Sequence, residues 1–198
     1  MGRAGPCVFY PTYSPQGGGT YGAGMTCRWC FSTGTKMTIL KDSKQSEKSV
    51  QEIQKDDLVL TFNGLNKLFS KVLEIKKNEG AFEFYVFKLM NRTKMNTKSI
   101  SVTGNHMMIV FGKDQNDIKL KHACQLKVGE FLRTNEGLFE IYEIDKRIMN
   151  DSYQIKVENG TVLANDVLVS TIYSEGNCSS KINIKVLDSA KIPIDIKN

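Results

Sequence analysis

No stretch of this 198-residue chain approaches the roughly 18 consecutive apolar residues of a membrane-spanning helix, so no transmembrane segment is expected. The first residues hold no apolar run of the about 7–15 residues that a secretory signal needs, and the expectation is a soluble protein in the cytoplasm. Five cysteines, at positions 7, 27, 30, 124 and 178, make an odd number. That argues against a complete disulfide framework and fits a reducing compartment with one or two working thiols. The net charge is +6, but the lysines stand singly and no basic block interleaves with aromatics. This is the pattern of a solvated surface, and no nucleic-acid partner is expected. A zinc site would take four well-spaced ligands. Cys27-Arg28-Trp29-Cys30 supplies two, and Cys7 and His122 are poorly placed to complete the set, so no metal and no cofactor is implied.

What is present is extended structure. Short runs rich in β-branched and aromatic residues occur at Leu58–Phe62, Phe82–Leu89, Met107–Phe111, Leu138–Ile144, Tyr153–Val157 and Val167–Ile172. Asn63-Gly64, Glu136-Gly137 and Asn159-Gly160 supply turn chemistry between them. Residues 1–29 differ: Gly, Pro and Tyr cluster there without periodicity, which reads as a flexible segment and not a domain. Residues 30–173 then form one domain and 174–198 a tail, in which Ile182–Val186 is the one candidate strand.

An internal repeat sharpens the fold. Ile53-Gln-Lys-Asp-Asp-Leu-Val-Leu-Thr-Phe-Asn-Gly64 is echoed by Leu126-Lys-Val-Gly-Glu-Phe-Leu-Arg-Thr-Asn-Glu-Gly137, and an alternating strand follows each copy. Duplication of such a unit predicts an all-β body with pseudo-two-fold symmetry whose halves share one core.

Cys30 heads this body. A thiol there can attack the carbonyl of the preceding residue through a five-membered ring, turning the Trp29-Cys30 amide into a thioester with a free amine. The departing amine needs a proton and the carbonyl needs polarising. His106, just before a strand, can present its ring to a cleft, and Thr103 three residues earlier can offer its hydroxyl. Cys30, Thr103 and His106 are therefore the candidate catalytic residues and Trp29-Cys30 the candidate scissile bond.

In that order the motifs resemble a Hint domain, the self-processing module of Hedgehog C-terminal regions, inteins and bacterial intein-like proteins. Cys30-Phe31-Ser-Thr-Gly34-Thr35 is similar to its start block. Val50-Gln-Glu-Ile-Gln-Lys-Asp-Asp57-Leu-Val is similar to the segment after it, with Asp56 where glycine is usual. Val102-Thr103-Gly-Asn-His106-Met is similar to the T-x-x-H block, and Val162–Ser170 to the closing strands. The resemblance spans residues 30–173 and implies the Hint fold, an N–S acyl shift at Cys30, and help from Thr103 and His106. The substrate it implies is the protein's own N-terminal segment.

The departures bear on the fate of the thioester. Splicing modules end in His-Asn before a nucleophile, whereas Val169-Ser170-Thr171 stands here, so splicing is not expected. Sterol-transferring members carry an aspartate in the strand after the first repeat, where Lys77 aligns here, and Glu74 is expected to face away. The acceptor is then water or a small nucleophile. The role of Cys27 stays open: it could form a disulfide with Cys30 that blocks the nucleophile until reduced, or it could be incidental. Cys124 reads as a core thiol, Cys178 as a residue of a polar turn, His122 as a solvated loop residue and Asn165 as structural. From another class, the chain could be a degenerate Hint module that binds a partner and never cleaves.

Overall fold

Period-two alternation writes itself into ladders along nearly the whole described chain. The computed structural model describes residues 29–64, 66–113 and 117–172 in full, and 7–11 and 23–27 by their backbone. The N-terminal pair is β1 (Cys7–Pro11) and β2 (Ala23–Cys27), antiparallel, in a stretch where the sequence shows no periodicity. The body comprises β3 (Phe31–Ser32), β4 (Lys36–Lys41), β5 (Lys44–Ser49), β6 (Leu58–Asn63), β7 (Asn66–Asn91), β8 (Asn96–Thr103) and β9 (Met107–Phe111). It continues with β10 (Ile118–His122), β11 (Phe131–Thr134), β12 (Gly137–Val157), β13 (Thr161–Ala164) and β14 (Val167–Ser170). Two short 3₁₀ turns, η1 (Val50–Glu52) and η2 (Ala123–Gln125), complete it, with no α-helix among the described residues. No described helix is long and apolar enough to cross a membrane. The expected strand at Ile182–Val186 and Cys178 lie outside the described residues.

The strands run in the order β10-β9-β11-β12-β3-β8-β7-β6-β4-β13-β14, with β5 on β4. Because β14 returns to pair with β9 and β11, and β12 pairs directly with β7, the sheet folds back on itself. Its spine is the antiparallel pairing of β7 and β12, 26 and 21 residues long, which runs from Met90–Glu140 to Val72–Val157. Runs separate in sequence, Lys71–Ile75 and Phe82–Leu89, are thus parts of one strand.

The duplication is visible bond by bond. After η1, Asp56 N–H donates to the Val72 carbonyl (2.9 Å) and Val72 N–H to the Asp57 carbonyl (2.9 Å). After η2, Gly129 N–H donates to the Ile141 carbonyl (2.8 Å) and Ile141 N–H to the Glu130 carbonyl (2.8 Å). Asp56 (φ 73°) and Gly129 (φ 90°) occupy the same left-handed position, which explains the glycine expected at 56. Lys48 pairs with Asp57 as Lys121 pairs with Glu130.

One large apolar cluster draws on both halves: Ile39, Val59 and Phe87 with Leu132, Phe139 and Val169, all nearly or wholly inaccessible. Each such side chain contributes roughly 1.5–3 kcal/mol through burial. A second cluster joins Leu60 and Phe62 to Ile109 and Phe111. A third, small one encloses Cys30 with Phe82 and Phe84.

Candidate active site

Cys30 immediately precedes β3, which lies between β8 and β12. That placement is what carries Thr103 to it, since Phe31 stands opposite Val102 in the β3–β8 pairing. Thr103 grips the Cys30 backbone at two points. Its Oγ1 accepts the Cys30 N–H at 2.9 Å, and its own N–H donates to the Cys30 carbonyl at 3.0 Å. The N–H so held belongs to the Trp29-Cys30 amide.

The chain then turns, His106 N–H bonding the Thr103 carbonyl at 2.9 Å, and the imidazole packs edge-on against Phe31 with ring centroids 4.7 Å apart. His106 is 1% exposed, and neither ring nitrogen has a partner within hydrogen-bond geometry among the described residues. Burial pulls its pKa down to about 4, against the opposing influence of the nearby Ser170 and Cys30 backbones. The imidazole is neutral at pH 7, so one ring nitrogen carries a proton and the other can accept one. The structure thus brings Cys30, Thr103 and His106 together.

Cys30 is a free thiol and wholly buried. Burial pushes its pKa up, while hydrogen bonds from Ser152, the Trp29 backbone and Asn78 pull the other way. The thiol is therefore protonated at rest. Because Cys30 is a free thiol, the candidate Cys27–Cys30 disulfide is not formed in this structure, and the Cys27 side chain lies outside the described residues. Cys124 corrects the sequence reading: it is disulfide-bonded and not a core thiol.

His122 is a second correction. It is 1% exposed, not solvated, and its Nδ1 lies 3.1 Å from the Asn105 carbonyl. Ala123 N–H donates to the His106 carbonyl (2.8 Å) and Cys124 N–H to the Gly104 carbonyl (2.9 Å). The end of β10 and η2 together brace the turn that carries His106. Nothing in the flanking lysines of His122 signals this.

On β7, Lys77 is engaged by Asp151 (3.1 Å) and Glu79 (3.2 Å), and Glu74 pairs with Lys76 (2.7 Å). The polar β7 side chain that reaches the thiol is that of Asn78, one position beyond Lys77, with Nδ2 3.6 Å from Cys30 Sγ and 3.3 Å from Ser152 Oγ. Sequence reasoning missed both Asn78 and Ser152. Asn165 has the structural place expected of it: Oδ1 accepts Lys36 N–H at 2.7 Å and Nδ2 donates to the Ser99 carbonyl at 3.1 Å.

A duplicated, closed all-β body with a cysteine at its head is the Hint fold, the fold of inteins and bacterial intein-like domains. Among solved structures, the gp41-1 intein is 21% identical and superposes with a TM-score of 0.56, over 72% of this chain and 98% of that one. The bacterial intein-like domain from Clostridium thermocellum is 23% identical, with a TM-score of 0.53 over 71% and 97% of the two chains. An intein from a hyperthermophile reaches a TM-score of 0.61 at 13% identity, over 72% and 99%. At these identities the likeness is one of fold. No family model and no curated protein matches the sequence.

Proposed function

We propose that the chain is a self-processing domain in which the Cys30 thiol attacks the Trp29 carbonyl and passes residues 1–29 to water or a small nucleophile. The observation that carries the reading is the grip of Thr103 on both sides of Cys30, with a neutral, buried His106 beside it. In the first step the thiol proton passes to His106 and the sulfur bonds to the Trp29 carbonyl carbon. The carbon–nitrogen bond then breaks as His106 returns that proton to the Cys30 nitrogen. The products are a thioester and a free amine, with no atom gained or lost. Thr103 fixes the Cys30 N–H of the scissile amide during attack, and the ring closure removes much of the entropic barrier. Proton transfer through His106 contributes roughly 10²–10⁴-fold.

In the second step an external nucleophile adds to the thioester carbonyl and the Cys30 thiol leaves. Ser170 and Thr171, at the end of β14, carry no side-chain amide that could cyclise, which supports cleavage over splicing.

The test is direct. Purified full-length chain incubated with dithiothreitol or hydroxylamine yields a fragment beginning at Cys30, and Cys30→Ala yields none. A folded wild-type chain that keeps its intact mass under both reagents would leave the non-catalytic binding module as the better reading. The mass of the released N-terminal fragment identifies the acceptor: a free acid means water.

A further inference from the structure

The Cys30 sulfur is contacted by two polar side chains from the long strands β7 and β12. Asn78 and Ser152 stand opposite one another in the β7–β12 ladder. They sit next to an irregularity. Between the Asn150–Ala81 and Ser152–Asn78 pairs, β12 advances two residues and β7 three. Gly80 (φ 128°) and Asp151 (φ 59°) absorb the mismatch as a β-bulge, and Lys77 ties its two sides together through Glu79 and Asp151. Bulges of this kind re-aim side chains and are frequent beside active sites.

Here the re-aimed pair meets the thiol. Asn78 Nδ2 donates to both Cys30 Sγ and Ser152 Oγ, and Ser152 is itself a hydrogen-bond partner of the thiol. Besides these and the Trp29 backbone, apolar side chains surround the thiol, with Phe82 and Phe84 packed on it and Met149 beside them. Negative charge that develops on sulfur in such a pocket depends on the few donors that reach it.

We propose that Asn78 and Ser152 are positioning residues that hold the Cys30 sulfur in place and stabilise the charge it gathers as its proton leaves. This deepens the cleavage reading and rests on Cys30 being the attacking group. Next to Asn78 and Ser152 along their strands stand Lys77 and Glu79 on β7 and Asp151 and Tyr153 on β12, and His106 lies on the turn before β9. Of these, Glu79 and Asp151 both pair with Lys77.

The test compares Asn78→Ala and Ser152→Ala with wild type in the full chain, after circular dichroism has shown the fold retained. Cleavage by dithiothreitol is followed from pH 6 to 10. Each variant is expected to be slowed about tenfold over this range, because the buried thiol stays largely protonated and each lost hydrogen bond to sulfur makes it harder to ionise. A rate profile that superimposes on wild type overturns the assignment. Alkylation of Cys30 by iodoacetamide, read site by site by mass spectrometry, separates the two ideas. Its pH midpoint rises in both variants whether or not the chain cleaves, and an unmoved midpoint removes the pair. An uncleaved wild type removes only the cleavage reading. Should Asn78→Ala fail to fold, Ser152→Ala, which deletes one oxygen, decides alone.

Discussion

At the scale of single residues, the site is governed by burial. His106 is neutral because the fold withholds water from it, and that has a thermodynamic signature. The folded pKa, about 4, lies below the ordinary histidine value of about 6.5, so between these values the unfolded chain binds a proton that the folded chain does not. His106 therefore contributes no penalty above pH 6.5, and stability falls as pH drops from there towards 4. Urea unfolding should show a loss on the order of 2 kcal/mol between pH 7 and pH 5, and His106→Gln should flatten that slope. Thr103→Ala removes the hydroxyl that takes the Cys30 N–H but keeps the backbone half of the grip. It should slow dithiothreitol cleavage by roughly tenfold, the worth of one buried hydrogen bond, without shifting the pH profile. A Thr103→Ala chain that cleaves at the wild-type rate would detach that hydroxyl from the chemistry.

At the scale of elements, the two copies of the repeat act as internal controls for each other. Both need a left-handed residue after their 3₁₀ turn; one supplies Gly129 and the other Asp56, whose side chain makes an exposed pair with Lys71. Left-handed backbone costs a residue with Cβ about 1 kcal/mol, and an exposed ion pair returns less. Thermal denaturation should show Gly129→Ala destabilised by about 1 kcal/mol, although a Cβ there meets no atom within 4 Å, and Asp56→Gly equal to wild type or more stable. The repeat, the strand at Met107–Phe111 and the grouping of Cys30, Thr103 and His106 were all legible, because each leaves a local pattern or a fixed order in the chain. The elements that brace and aim the site were not. Asn78 and Ser152 are polar residues inside long strands, and a bulge depends on the partner strand as much as on its own sequence. His122 sits among lysines, and only the docking of η2 against the 103–106 turn buries it.

At the scale of the whole molecule, the halves have no separate interiors: Ile39, Val59 and Phe87 share one cluster with Leu132, Phe139 and Val169. Leu132→Ala, deep in that cluster, should cost about 2–5 kcal/mol and lower hydrogen-exchange protection in β6 and β11 together. Protection lost from β11 alone would mean two independent halves. The pairing of β1 with β2, and the approach of β2 to β7, bear on what cutting the chain accomplishes. The β1–β2 pair forms its own small sheet, and β2 lies close to β7, so the stretch ahead of Cys30 meets the body at more than its one peptide bond. Severing that bond therefore makes a nicked particle first and two molecules later. The lifetime of the nicked form is a dissociation rate, set by how β2 parts from β7, and a denaturing gel and a size-exclusion column would time two different events.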